Sequence, residues 1–295
     1  MGVGTCKWCG NPVDTDQGRT CPACGVAIDI TQTTTDSGWV ELPPIEDMAR
    51  VQFGHSRVQI EGTFVPVSDF DLAADDNIYF SHHTVLWMEE RIHLERSPLG
   101  GAWRRMMGGL PLVMAEAHGP GRIALSMDRP GEVVAVPLHV GQGIDVQEHH
   151  FLAATGQVGY DYLQSGVWFT TRSGDETETH YPIGMYIDRF HALQEHGLVL
   201  LHAGGNVFER VLAPGEPICI KPPSLLFKDP TVGMALHFET PRALQYSSSW
   251  GNVANRYVWL RLWGPGRVAI QSQYGHFHDP GNSISSASQS TRAMW

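Results

Sequence analysis

The sequence predicts an all-β protein, three copies of one β unit behind a small zinc ribbon, and three observations carry that expectation. The first is internal repetition: LHVGQGIDVQEHHFLAA at residues 138–154 has a copy on each side, LAADDNIYFSHHTVLWM at 72–88 and LAPGEPICIKPPSLLFK at 212–228. All three hold Leu at the first place (Leu72, Leu138, Leu212), Ile at the seventh (Ile78, Ile144, Ile218) and Leu at the fifteenth (Leu86, Leu152, Leu226). The places between agree as well, with Phe80, Val146 and Ile220 in one set and Val85, Phe151 and Leu225 in another. The copies lie 66 and 74 residues apart, too far for a solenoid repeat and suited to a small β unit used three times. The second observation is a succession of short alternating or apolar segments broken by Gly and Pro, at 122–126, 133–136, 144–146, 167–171, 207–211 and 257–262. The third is the pair of Cys-x-x-Cys motifs near the start, Cys6-Lys7-Trp8-Cys9 and Cys21-Pro22-Ala23-Cys24.

Composition bounds the rest. At 295 residues, with 42% hydrophobic and 17% charged residues, the chain has enough apolar material for a sizeable core in one or two domains. Its 20 basic and 31 acidic residues give a net charge of −11 with no basic run, so nucleic acid is a disfavoured partner. The opening MGVGTCKWCG has neither a basic leader nor an apolar run, and no stretch reaches the ~18 apolar residues of a spanning helix. The expectation is a cytoplasmic protein.

Residues 1–28 are read as the ribbon. Two residues between paired cysteines let one tight turn present both thiolates to the same ion, and Cys6, Cys9, Cys21 and Cys24 together offer a tetrahedral set for one structural zinc. A segment this short has little core, and zinc supplies roughly 10–16 kcal/mol of apparent binding free energy to such folds. Four thiolates leave no open coordination position for catalysis. A redox dithiol or a pair of disulfides is the competing reading.

Residues 29–48 are polar, without period, and read as a flexible linker carrying Trp39. Residues 49–278 form the three-repeat β domain. Within it, His118-Gly119-Pro120-Gly121 answers Trp263-Gly264-Pro265-Gly266, with His202-Ala203-Gly204-Gly205 as a looser third copy of the same turn. The C-terminal strands are expected to close against the N-terminal repeat, giving a pseudo-threefold ring and removing sheet edges. Residues 185–196 space Ile187, Phe190 and Leu193 as a short helix stopping at Gly197 would. Residues 98–112 read as a cap over one end of the ring, Cys219 as a core residue between Ile218 and Ile220, and residues 279–295 as a disordered Ser-rich tail.

With these residues in view, the triplicated unit, the two Gly-Pro-Gly turns and the ending Val268-Ala269-Ile270-Gln271-Ser272 resemble the altered inheritance of mitochondria protein 24 family. The resemblance covers about residues 50–275. It implies a fold like that of the tryptophan RNA-binding attenuator protein, TRAP: a pseudo-threefold set of β-sandwich or short double-stranded β-helix units, with no established enzymatic activity. Mitochondrial members are linked to inner-membrane organisation, which makes scaffolding near a membrane surface a further expectation. Asp75-Asp76 stand where the other repeats have Gly141-Gln142 and Gly215-Glu216, so the three units differ at this turn.

Fifteen histidines raise a second metal reading. His82 and His83 fall in the same bend of repeat one as His149 and His150 in repeat two, while repeat three has Pro223-Ser224 there. Two such histidines with Glu89 or Glu148 could bind a metal. No serine sits in a nucleophile elbow and no Gly-rich loop joins a strand to a helix, so no catalytic or organic-cofactor residue is assigned. The functional expectation is a non-enzymatic scaffold or binding protein: the ribbon for docking, the β domain for self-assembly or for a protein partner. The alternatives are a cupin-like metalloenzyme using His82, His83, His149 and His150, and RNA binding by analogy with the attenuator fold.

Overall fold

The computed structural model describes residues 3–6, 11–14, 21, 23, 37, 39–41, 49–96, 114–173, 175–239, 257–274 and 284–288. Its regular elements are strands and two single-turn 3-10 helices. Ahead of the repeats come β1 (Val3–Thr5), β2 (Pro12–Asp14), β3 (Val40–Glu41), β4 (Ala49–Phe53) and β5 (Ser56–Glu61). Repeat one holds β6 (Val67–Leu72), β7 (Asn77–Ser81), β8 (Val85–Met88), β9 (His93–Arg96), β10 (Met114–His118) and β11 (Gly121–Ser126). Repeat two holds β12 (Glu132–Leu138), β13 (Gly143–Gln147), β14 (Phe151–Thr155), β15 (Gly159–Gln164), an inserted hairpin β16 (Phe169–Ser173) and β17 (Glu176–His180), then β18 (Tyr186–His191) and β19 (Gly197–Ala203). Repeat three holds β20 (Val207–Leu212), β21 (Pro217–Ile220), β22 (Leu225–Lys228), β23 (Gly233–Glu239), β24 (Tyr257–Trp263) and β25 (Gly266–Gln271), and β26 (Ile284–Ala287) follows. Each segment that alternation marked as a strand lies in or overlaps one of these.

Two compact units result, one of residues 1–143, 149–161 and 189–208, the other of 144–148, 162–188 and 209–295. In the first unit a five-stranded sheet, β4-β5-β6-β11-β8, and a six-stranded sheet, β12-β19-β14-β7-β10-β9, bury their apolar faces against each other. Phe70, Leu72 and Ile123 from one sheet join Phe80, Leu152 and Leu200 from the other in a single core cluster, each no more than 2% exposed. Each such side chain contributes roughly 1.5–3 kcal/mol through burial. The second unit holds most of a sheet ordered β15-β18-β13-β22-β25-β20, together with the three-stranded sheets β21-β24-β23 and β17-β16-β26.

Strand order exposes the repeat at the level of hydrogen bonding. In every copy the sixth strand lies between the first and third (β6-β11-β8, β12-β19-β14, β20-β25-β22), and the fifth lies between the second and fourth (β7-β10-β9, β13-β18-β15, β21-β24-β23). The signature leucines have positional meaning. Leu72, Leu138 and Leu212 each end a first strand and are buried. Leu86, Leu152 and Leu226 each sit at a break in the ladder between third and sixth strands, where the register skips that residue. After each third strand comes the same turn, closed by Ile92 N–H to Glu89 O, Val158 N–H to Thr155 O and Val232 N–H to Asp229 O, at 3.0 Å in all three.

Several expectations are corrected. The Gly-Pro-Gly turns both join fifth to sixth strands, with cis Gly119-Pro120 and Gly264-Pro265. The looser copy at 202–205 joins β19 to β20, a different junction, and residues 192–196 make the corresponding turn of repeat two. Their first glycine is explained by close approach: a Cβ would lie 2.1 Å from Ala73 O at Gly119 and 2.3 Å from Ala213 O at Gly264. Residues 185–196 are not helical. Tyr186–His191 is β18, with Ile187 and Phe190 buried, and Leu193 is 70% exposed in the following turn. Three apolar residues at spacing three fit a strand buried on both faces as well as a helical turn, and the aromatic and β-branched content decides for the strand. Cys219 is exposed, because side chains alternate along β21 and Ile218 and Ile220 take the inner face, which leaves Cys219 on the outer one. β25 pairs with β22 and β20 of its own repeat. The segment expected to be a linker contains β3. The segment expected to be a disordered tail contains β26, which extends the β16 ladder, with the Thr170 and Ser286 hydroxyls 2.6 Å apart and Ser288 N–H bonded to Trp168 O at 2.9 Å. Residues 98–112 lie outside the described residues.

Candidate functional site

The histidines of the two bends are held by main-chain chemistry. His149 has φ 68°, which turns its carbonyl to accept from the Arg129 guanidinium. His150 is buried, and its Nδ1 bonds the carbonyl of His202 at 2.8 Å, while His202 N–H returns a bond to His150 O at 2.8 Å. His202 is also buried; its Nδ1 accepts from Arg129 Nε at 3.3 Å and its Nε2–H donates to Arg129 O at 3.1 Å. Desolvation, reinforced by the Arg129 charge, drives both imidazoles down to about 4, so they are neutral donors at pH 7. His82 and His83 are exposed and meet edge to face, with burial and the neighbouring His82, His149 and Arg129 charges lowering His83. The four histidines do not form a set of converging ligand atoms among the described residues. The group that does is His55, Asp75 and Asp76, whose ligand atoms lie within 4.8 Å of one another. There Asp76 Oδ2 is engaged by His55 N–H at 2.8 Å and Ser56 Oγ–H at 2.6 Å, and Ser56 Oγ accepts from Ala73 N–H at 2.8 Å. Asp76, of the acidic pair that sets repeat one apart, therefore ties the β4–β5 hairpin to the turn before β7. His55 Nδ1 contacts Asp75 Oδ2 at 2.8 Å and lowers that carboxyl.

Of the zinc cysteines, Cys6 and Cys21 are described and both are buried. Cys6 follows β1, which pairs antiparallel with β2, and donates its N–H to Asn11 O at 2.8 Å. Buried thiols of this kind fit the donor set a structural zinc takes. Cys9 and Cys24 lie outside the described residues.

A groove of about 430 Å³ is lined by Phe53, Pro137, Thr155, Gln157, Glu195 and the exposed pair His139 and His196, whose Nδ1 atoms are 3.2 Å apart. The two residues lie in loops 57 positions apart and share no motif, so only the fold brings them together.

Among the described residues, β8 is an exposed edge. It ends the five-stranded sheet, bonded to β11 on one side, and its Leu86, Trp87 and Met88 are 59%, 42% and 44% exposed. The matching strands have a second neighbour each: β14 takes β7 (Ala153↔Phe80, Ala154↔Tyr79), and β22 takes β13 (Phe227↔Val146, Lys228↔Asp145). There the leucines equivalent to Leu86, Leu152 and Leu226, are wholly buried. The absence of any charge between Val85 and Met88 was the sequence's one sign of this surface.

The family described as mitochondrial biogenesis AIM24 matches residues 58–273. The chain belongs to this family. No curated protein matches it. Among solved structures it is similar to the X-ray structure of protein SPYM3_0169 from Streptococcus pyogenes, at 19% identity and a TM-score of 0.52 over 74% of this chain and 94% of that one. That likeness shows the fold. The AIM24 match begins within β5 and ends just after β25, so it contains all three repeats and the open strand β8, while the cysteine-rich segment precedes it. Among the described residues of this AIM24 protein, no helix is long and apolar enough to cross a membrane.

Proposed function

We propose that this AIM24 protein is a non-enzymatic scaffold or binding protein that engages a protein partner through β8, with a zinc ribbon at residues 1–28 as an added docking module. The carrying observation is the edge of β8, open among the described residues, with three consecutive apolar side chains exposed where both equivalent strands have a neighbour. An unpaired strand offers a row of backbone donors and acceptors, and soluble proteins usually blunt such edges with charge, proline or a bulge. β8 is bulged but uncharged, and it can accept an added strand from a partner. In the ribbon, Cys6, Cys9, Cys21 and Cys24 would hold one zinc, whose chemistry is structural.

Metal analysis and hydrogen exchange test the two halves. One zinc per full-length chain, and none in protein beginning at Asp29, is the expected result; a stoichiometric metal surviving that truncation overturns the non-enzymatic reading and points to the bend histidines. Amides on the open side of β8 are expected to exchange fast in dilute protein. Full protection at every dilution removes β8 as a binding edge.

A further inference from the structure

Two internal junctions define how repeats of this fold join. At one, β7, a second strand, pairs antiparallel with β14, the third strand of the next repeat; at the other, β13 pairs with β22 in the same way. The registers are equivalent: Phe80 faces Ala153 and Val146 faces Phe227, while Tyr79 faces Ala154 and Asp145 faces Lys228. Each first pair sets one aromatic residue against a smaller one. Among the described residues, two strands of these types lack such a neighbour. β8 is a third strand bonded to β11, and β21 is a second strand bonded to β24, with Cys219 exposed on it. Neither Val85–Met88 nor Pro217–Ile220 carries a charge that would repel an added strand.

We propose that β8 of one molecule takes β21 of a second copy as its missing neighbour, in an antiparallel ladder that sets Trp87 opposite Ile220 and Met88 opposite Cys219. This rests on the reading of β8 as a binding edge and adds the occupant. The register is the one both internal junctions use, carried over by the offsets of the repeats, and it supplies the aromatic-against-smaller pair that each of them has. Cover by β21 would bury Leu86 as Leu152 and Leu226 are buried. The contact is heterologous, since each molecule presents one edge of each type, so association either closes a ring of copies or continues head to tail.

The test is a disulfide across the new ladder in the full chain. Residues directly opposite one another in an antiparallel pair have Cβ atoms about 4.5–5.5 Å apart, at the margin of disulfide reach. Met88→Cys is made with native Cys219 in place, isotope-labelled and unlabelled protein are mixed, and the mixture is oxidised in air with copper phenanthroline. The expected result is a covalent link between position 88 and Cys219 that joins labelled to unlabelled chains. It should be absent from oxidised wild type, which controls for the N-terminal cysteines, and lost in Met88→Cys/Cys219→Ser. Leu86→Lys should lower the concentration-dependent mass seen by light scattering to that of one chain. A link confined to one chain overturns the proposal, and so does the absence of any link. If the mass still falls with Leu86→Lys but no 88–219 link forms, β8 stands as a binding edge and β21 of a second copy is rejected as its occupant.

Discussion

Lys228 donates through Nζ to Asp145 Oδ2 at 2.8 Å, and the two residues face each other across the β13–β22 ladder with side chains only 5% and 3% exposed. A buried ion pair thus stands at the junction between the second strand of one repeat and the third strand of the next, where the other internal junction has Tyr79 against Ala154. Charge at this point makes the junction specific: a shift by one residue would leave both ions buried and unpaired. Lys228→Met is expected to cost about 3–5 kcal/mol, since it removes the buried cation facing the Asp145 carboxylate, whereas Asp145→Leu with Lys228→Met should recover most of that loss. Denaturant unfolding of the two single variants and the double variant checks this, and additive losses would show that the pair is not coupled.

The equivalent leucines should respond unequally. Leu152 is wholly buried and Leu86 is 59% exposed, although both occupy the fifteenth place of the repeat and the same break in the ladder. Leu152→Ala is expected to cost about 2–5 kcal/mol through lost burial and a residual cavity. Leu86→Ala in dilute protein should stay within about 0.5 kcal/mol. Equal losses would mean that Leu86 is covered in the monomer.

How much of this was legible in the sequence depended on the range of the interaction. The three copies, their strands and the Gly-Pro-Gly turns could be read because periodicity and turn chemistry are local, and Leu72, Leu138 and Leu212 are buried as their repetition implied. The helix expected at 185–196 failed because Ile187 and Phe190 satisfy either period. Cys219 reads as core between two isoleucines, but alternation puts it on the face opposite theirs, and that face is uncovered. Lys228 closes an apolar run and looks like a surface residue, because its partner Asp145 lies 83 positions away. The histidines of repeat two looked like ligands, and only the fold brings the His202 carbonyl and Arg129 against them.

Asp76 anchors the β4–β5 hairpin through His55 N–H and Ser56 Oγ–H. Asp76→Ala leaves these donors without a buried acceptor, and hydrogen bonds to a charged group are worth about 1.5–3 kcal/mol. The expected outcome is a loss of that order, with faster hydrogen exchange in β4 and β5. Asp75→Asn, on the exposed side of the same turn, should leave the hairpin unchanged. If instead Asp75→Asn matched Asp76→Ala, the turn would be held by the pair acting together.

His150 and His202 should make stability depend on pH between 6.5 and about 4. Both imidazoles are lowered from 6.5 to about 4, first by desolvation and then by the Arg129 charge, with the His202 and Arg129 carbonyl bonds opposing. Within that window the unfolded chain binds protons that the folded one does not, so stability is fully present above pH 6.5 and is lost as pH falls. A shift of this size corresponds to up to about 3 kcal/mol for each group by the time pH 4 is reached. Protonating His202 would remove the acceptor for Arg129 Nε and set a second cation beside it; protonating His150 would place an uncompensated charge in the core. Unfolding free energies at pH 7.5, 6 and 5 should therefore decline, and His150→Gln, whose amide can still donate to His202 O, should flatten the decline by about half. A flat profile in the wild-type protein would show that these two histidines titrate alike in the folded and unfolded chains.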